Sequence, residues 1–476
     1  MTFITQIQGI IFLIGFGVVM ILLTYFFSKK NSMNHREGFL VANRKVGWFK
    51  GGTSIAASWI WAGALFVSIQ MSYQNGLAGI FWFTMPNIFA LILFAFWAPK
   101  IREKFPKGYT LPQWIKEKFK DTKLHKLYLI PFFFNQILAI AFNVFAGGTM
   151  ISLLTGIPLL VVIPILIGIA LIYTLISGLE ASMITDMVQM GLIVVGIFLI
   201  VPWAVSSAGG LSAVAGGLGG LTGQFTNIFN PAIMFSLGLI NSIGLISGTI
   251  ADQQYWQRTF ALKKKQITKA FVFGGILFAV VPIMLSLLGF MGANPALGIT
   301  LPAGTDPSLI GIISVTNLVP KGIAAIFILI MIAGLSSTID SGISAFSSLW
   351  ITDVSKKKSE KALLRSGRLA MFGAGVIGLL IAYGAHFIQG IGLQHLWFLS
   401  ISIVASISVP TILTLYLDRI NPKSMFYGIL IAIVIGMPFF FYANIANILW
   451  LQAVASVFMV VASTSVTLLF PKRHLQ

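Results

Sequence analysis

Apolar runs of about twenty residues, parted by short polar loops, recur along the whole chain. A helix of that length, rising about 1.5 Å per residue, crosses the hydrocarbon of a bilayer. The pattern predicts thirteen spans, at 4–27, 49–73, 77–98, 126–154, 157–176, 182–205, 231–256, 269–292, 322–351, 367–390, 393–417, 424–443 and 446–470. The first run, Ile4 to Phe27, has no basic residues ahead of it and no small-residue cleavage pattern. It is also too long for a signal-peptide core, so it reads as a retained span. The segment Leu111 to Lys120 reads instead as a short amphipathic helix on the inner surface, its Trp and Phe dipping into headgroups and its lysines meeting anionic lipid.

The loops test the span count. With the amino terminus outside, Lys and Arg are expected in alternate, inner loops. They fall at Lys29 to Lys50, Lys100 to Lys126, Arg258 to Lys269, Lys356 to Arg368, Arg419 and Lys423, and Lys472 and Arg473; of 31 such residues only Lys321 departs. The stretch from Ser206 to Asn230 carries no charge, as an outer loop can. The expectation is a multi-pass cell-membrane protein, amino terminus outside and carboxyl terminus cytoplasmic, in contact with membrane lipid.

Composition agrees. The chain is 57% hydrophobic and 9% charged, where a soluble domain carries about 25% charged residues. Its net charge of +19 does not signal nucleic acid, because the basic residues sit in short loops between apolar runs. Length alone suggests about three soluble domains, but a bundle of spans folds as one unit, so a single domain over 1–476 is expected. With no cysteine, disulfides and thiolate metal sites are excluded. The five histidines are scattered, and no His/Glu metal cluster or Ser–His pairing suggests an enzyme.

Two spans carry helix-weakening residues. The second has Gly51, Gly52, Gly63 and the run Ala56-Ala57-Ser58; the seventh has Gly238, Gly244, Ser247 and Gly248. Small residues also serve as contact points between helices. The other reading is a pair of broken helices at matching places in two repeats, the sequence sign of a transport site. Spans two to six (about 49–205) and seven to eleven (about 231–417) then form a five-plus-five inverted repeat, with span 4–27 and spans 424–470 as additions. The expected fold is an all-α integral membrane protein.

Ionisable groups inside spans are functional candidates. Asp186, Asp252 and Asp340 lie in or at the edge of apolar runs. In the ninth span, Ser336, Ser337, Thr338, Asp340 and Ser341 gather hydroxyls and a carboxylate at mid-membrane. Serine and threonine can hide in a helix by bonding to the preceding turn, but five polar side chains in six positions form an oxygen-rich patch. Oxygen donors without thiol or imidazole suit hard cations.

Here the chain resembles the sodium:solute symporter family. Ala333-x-x-Ser336-Ser337 is similar to that family's sodium-site helix, and Ala57-Ser58-Trp59-Ile60-Trp61-Ala62 to its broken first core helix. Gly178-Leu179-Glu180-Ala181 with Thr185-Asp186 and Gln189, and Asp252-Gln253 with Gln257-Arg258, resemble two further signatures. The resemblance implies sodium as coupling ion, held by the carbonyls of Ala57, Ile60 and Ala333 and the hydroxyls of Ser336 and Ser337. Some members bind a second sodium with the Asp at position 186 and serines one turn below Ser336. Here those positions are Ile339 and Asp340, so Asp186 and Asp340 are expected to share a cation or a proton.

Where sugar carriers place polar groups, this chain has Trp59, Trp61, Gly63, Ala64, Trp82 and Phe83. That aromatic set resembles the urea and polyamine transporter branch. Aromatic walls suit a flat amide by stacking or a cation by cation–π contact, and Asp252 and Gln253 are placed to take N–H groups. The expected function is sodium-coupled symport of a small polar solute, urea or a similar amide. Sodium- or proton-coupled uptake of an amino acid or polyamine, and an uncoupled facilitator, are the alternatives.

Overall fold

In a bilayer every backbone N–H and C=O must find a partner within the protein, which restricts spanning segments of this composition to helices. The computed structural model of the chain describes residues 3–28, 35–176, 178–388 and 390–469. Lys29, Lys30, Lys472, Arg473, His474 and the last residue of the thirteenth expected span lie outside the described residues. Twelve of the described helices are long and apolar enough to cross a membrane. The difference from thirteen lies in the second expected span, which is divided.

The main helices are α1 (Gln6–Ser28), α2 (Trp48–Trp59), α3 (Gly63–Lys104), α4 (Thr122–Thr155), α5 (Leu159–Ile176), α6 (Leu179–Ser207), α7 (Pro231–Ala251), α8 (Gln253–Ala261), α9 (Lys264–Ala293), α10 (Lys321–Val354), α11 (Glu360–Phe387), α12 (Leu393–Tyr416), α13 (Pro422–Ile445) and α14 (Leu449–Leu469). Several begin at side-chain caps that satisfy the orphan amides of a first turn. Asp121 Oδ1 accepts from Lys123 and Leu124 N at α4, and Asn230 and Asn421 do the same at α7 and α13. α4 and α10 are buried for most of their length, while α1 is largely exposed.

The chain unwinds at Ile60 and Trp61, between α2 and α3, where Ile60 adopts φ −78° and ψ 73°. α3 then holds the rest of the second expected span together with the third. Its two halves meet at Gly76, φ +56° and ψ −147°. A Cβ there would lie 2.4 Å from Leu218 O, so both backbone conformation and close approach call for glycine. The uncharged connection docks on this bend: Leu77 N donates to Leu218 O, and Leu221 N donates to Tyr73 O, each at 2.9 Å.

The seventh span corrects an expectation. Its glycines do not break it: Gly238 lies against the Trp82 ring and Gly244 against Ile401, which is the contact-point role. The break comes at Asp252, whose extended backbone (φ −102°, ψ 117°) ends α7 and whose Oδ1 caps α8 by accepting from Gln254 N at 2.8 Å. The two breaks meet. α2 runs from the basic end of the bundle to its break, α8 runs from its break back to that end, and Tyr255 OH of α8 donates to Ser58 O at 3.3 Å. At about 1.5 Å per residue both breaks sit roughly 14–18 Å above the basic end. The opposite chain directions are those a five-helix offset imposes.

The basic loops occupy one end and touch one another. Arg44 Nη1 donates to Gly108 O and Phe260 O, Arg36 Nη2 donates to Thr352 Oγ1, and Lys118 Nζ donates to Thr414 O. Val46 pairs across the end of α8, its N–H donating to Ala261 O and its carbonyl accepting from Lys263 N. The short helix Leu111–Phe119 forms as expected but does not lie with its apolar face in headgroups. Leu111, Trp114 and Ile115 are buried in protein, and Trp114 packs on Phe105 with centroids 5.9 Å apart.

Candidate functional site

The unwound turn of the first break is held from two sides. Asn143 Oδ1 of α4 accepts from Ala62 N at 2.8 Å, and Thr338 Oγ1 of α10 donates to Ile60 O at 3.0 Å. Gly334 brings α10 in close; a Cβ there would meet Leu65 at 2.8 Å and Ile60 at 3.4 Å. Ile60 is therefore brought against the 334–338 turn, the neighbour that an ion bridging α2 and α10 requires. Ala57, Ile60, Ala333, Ser336 and Ser337 are all buried, and their donor atoms are oxygens of the kind hard cations take. Ser337 Oγ donates to Asp186 Oδ1 at 2.5 Å and Tyr173 OH donates to Ser336 O at 2.9 Å.

Asp186 and Asp340 do not share a partner. Asp186 accepts from Ser337, from Ser54 Oγ at 2.5 Å and from Arg258 Nη2 at 2.9 Å. Arg258, fully buried, also donates through Nε to Ser54 Oγ and through Nη2 to Ser341 Oγ. Among the described residues the Arg258 guanidinium is thus the cationic group on Asp186. Asp340 turns the other way, to Thr174 Oγ1 of α5 at 2.9 Å and Ser182 Oγ of α6 at 2.8 Å.

Beside the two breaks lies a narrow cavity. Three indoles, Trp59, Trp61 and Trp397, form its walls with Leu245, Gly248 and Ile401, and Asn87, Asn135, Ser400 and Asp252 supply its polar lining. The indole nitrogens of Trp59 and Trp61 and Oδ2 of Asp252 are buried without a close hydrogen bond, the Trp61 indole facing Tyr255 and the Asp252 carboxylate facing Asn135. A buried donor or acceptor left unpaired costs about 1–3 kcal/mol, so three at one cavity are an unmet demand. Asp252 Oδ1, by contrast, is fixed by Gln136 Nε2 at 3.0 Å and by Gln254 N.

Trp59, Trp61 and Asp252 thus reach the cavity that the sequence suggested for them. Trp82, Phe83 and Gln253 do not line it. Trp82 Nε1 donates to Ile228 O, Phe83 stands behind Trp397 with ring centroids 5.7 Å apart, and Gln253 Nε2 donates to Tyr109 O near the basic end. Gly63 acts through Trp397: a Cβ on it would fall 2.5 Å from that ring. Gly63→Ala is expected to push Trp397 and to destabilise by about 1–3 kcal/mol, read as a lower melting temperature and a smaller solute-induced thermal shift. An unchanged solute shift would show that Trp397 is not a working wall. On the uncharged-loop side of the cavity, Gln70 Nε2 donates to Gln394 Oε1 at 2.8 Å and joins α3 to α12.

Asn87, Asn135, Asn143 and Trp397 went unread in the sequence. The signal available was a carboxamide, or for Trp397 an indole, inside an apolar run, a polar group costly to bury unpaired.

Membrane-length helices with two breaks side by side, around a cavity of unmet donors and an acceptor, are the layout of broken-helix secondary transporters. The chain belongs to the sodium:solute symporter family, which matches residues 39–432. It is 24% identical over 475 residues to a rice (Oryza sativa subsp. japonica) urea-proton symporter, covering 91% of this chain and 65% of that protein. It is 24% identical over 452 residues to the urea active transporter of Saccharomyces cerevisiae, covering 87% and 60%. To the sodium/glucose cotransporter of Vibrio parahaemolyticus it is 26% identical over 452 residues, covering 86% and 80%. The chain thus spans less than two thirds of the two urea-transport relatives. Its fold is similar to that of a sodium-coupled sialic acid symporter solved in a substrate-bound, outward-open state, with TM-score 0.77 and 21% identity over 98% of this chain and 99% of that one. A nucleobase-cation-symport-1 family transporter, solved closed with bromovinylhydantoin bound, gives TM-score 0.56 at 14% identity over 93% and 96%.

Proposed function

We propose that the chain is a secondary active transporter that carries a small polar solute inward with sodium by alternating access, and that the solute is urea or a similar flat amide. The observation that carries this reading is the set of unpaired atoms at the cavity. Urea offers one carbonyl acceptor and N–H donors on two sides. The cavity offers the Trp59 and Trp61 N–H groups as donors and Asp252 Oδ2 as acceptor, between indole faces on which a planar molecule stacks. A hexose, with hydroxyls all round, would leave most of them against Leu245, Ile401 and ring faces.

Sodium is held by the carbonyls of Ala57, Ile60 and Ala333 and the hydroxyls of Ser336 and Ser337, and so ties α2 to α10. It drives transport because it binds one conformation better than the other. A tenfold gradient and about 100 mV together supply about 3.7 kcal/mol per ion, enough to concentrate a neutral solute a few hundredfold. The whole chain acts as one transport unit in the cell membrane, amino terminus outside and basic loops in the cytoplasm.

The test is uptake of labelled urea into proteoliposomes, with sodium or choline outside. Sodium is expected to stimulate uptake in the wild type, and Ser337→Ala is expected to abolish the stimulation. Equal uptake in choline would make the protein an uncoupled facilitator. A sodium dependence unaltered by the substitution would remove Ser337 from the ion site. A thermal-shift screen against polyamines, amino acids and sugars checks the solute class.

A further inference from the structure

Three carboxamides meet on the side of the cavity away from the basic loops. Gln394 lies one turn ahead of Trp397 on α12, and Gln70 lies about two turns beyond Gly63 on α3. Their bond therefore crosses over the contact between Gly63 and the Trp397 ring. Gln70 Nε2 donates to Gln394 Oε1 at 2.8 Å and to Gln74 Oε1 at 3.0 Å. An amide nitrogen carries two hydrogens, so both are spent. Gln70 Oε1 is left buried without a close hydrogen bond, in a residue only 3% exposed.

The three glutamines line an open hollow at this end of the bundle, together with Asp306 and His395. Asp306 is occupied by backbone. Its Oδ1 accepts from Ser308 N at 2.9 Å and its Oδ2 from Leu393 N at 2.8 Å, which pins the start of α12 and Gln394 with it. His395 Nδ1 accepts from Gly392 N at 3.1 Å, so the ring hydrogen sits on Nε2, which is buried without a close hydrogen bond. With their oxygens turned to Gln70, Gln74 and Gln394 keep N–H₂ groups to give. The hollow thus offers an acceptor at Gln70 and donors at Gln74, Gln394 and His395. That set repeats, with neutral groups, the donors and acceptor of the cavity.

We propose that the hollow is a first docking site for a small amide, and that the Gln70–Gln394 bond is a latch which the amide exchanges for bonds to itself on its way to the cavity. That this amide is the transported solute rests on the urea reading above; the docking site itself does not. Urea donates to Gln70 Oε1 and accepts from the N–H₂ groups of the glutamines. Exchanging one neutral amide bond for another leaves the number of bonds unchanged, so an amide offsets the cost of parting α3 from α12. An apolar molecule would break the latch and replace nothing. The acceptor inside the cavity is a carboxylate, to which an N–H bonds more strongly than to a carboxamide. The solute therefore passes from the weaker site to the stronger.

Two measurements test this. The chain has no native thiol, and Thr305 lines the hollow. In purified Thr305→Cys, urea is expected to slow labelling by a small thiol reagent, and to do so equally when Asp252→Asn has weakened the cavity. Adding Gln70→Leu, or separately Gln394→Leu, is expected to abolish that protection, with a sodium-induced thermal shift verifying each fold. In proteoliposomes, Gln394→Leu is expected to raise the KM for urea uptake by about tenfold, the loss of one amide bond. The equilibrium urea affinity of the same variant, read by thermal shift, is expected to match the wild type, because the latch governs entry and not the filled cavity. Absence of protection, protection that needs an intact Asp252 or survives both leucine variants, or a KM that is unchanged or moves together with the affinity, overturns the proposal and leaves sodium symport standing. Protection by urea in a protein that takes up no urea upholds the docking site and sinks the symport reading instead.

Discussion

Asp252→Asn is expected to weaken urea binding by about tenfold to a hundredfold and to leave the fold intact. The substitution separates the two jobs of this side chain. Oδ1 caps α8 and receives Gln136, and an asparagine oxygen still does both. Oδ2 makes no close hydrogen bond within the protein and is replaced by an N–H₂ group. The solute then loses a charged acceptor worth about 1.5–3 kcal/mol and meets a donor facing its own donors. The loss converts to the stated change in affinity. Urea-induced thermal shift and the KM for uptake read it directly, while sodium binding to the protein alone is expected to persist. A KM equal to wild type would show that the solute does not reach Asp252.

Arg258→Met is expected to cost about 3–5 kcal/mol, because it strands Asp186 as a buried, uncompensated charge. The guanidinium and carboxylate lie 2.9 Å apart and both are fully buried. Methionine keeps much of the volume, so the loss is electrostatic rather than a cavity. The decisive companion is Asp186→Asn combined with Arg258→Met. Removing both charges is expected to recover most of the melting temperature, since Ser54 and Ser337 can still bond to the amide. If the double variant is no more stable than the single one, the arginine works through packing and not through Asp186.

The fold was legible because bilayer physics leaves few options. Apolar runs of membrane length and the alternation of basic loops gave nearly every span, and the first break fell within the 57–62 run where it was expected. The second break was not legible from glycines, because Gly238 and Gly244 serve close packing while a single acid, Asp252, ends one helix and caps the next. At the site, Trp59 and Trp61 were readable as indoles out of place inside a span. Trp82 and Phe83 carry the same signal and yet do not line the cavity, Trp82 bonding to Ile228 O and Phe83 packing behind Trp397, since aromatic identity does not say which face of a helix a residue takes. Arg258 was visible as a motif residue, but its hold on Asp186 joins residues 72 positions apart in the chain, and only folding brings them together.

The docking of the uncharged connection on the Gly76 bend has a practical use. Leu221 is 54% exposed, yet its backbone amide is anchored to Tyr73 at the far end of the unwound helix. The chain has no native thiol. A single cysteine introduced at Leu221 would therefore accept one fluorophore or spin label, and the label would rock with that helix as each passenger crosses, giving a spectroscopic clock for individual turnovers.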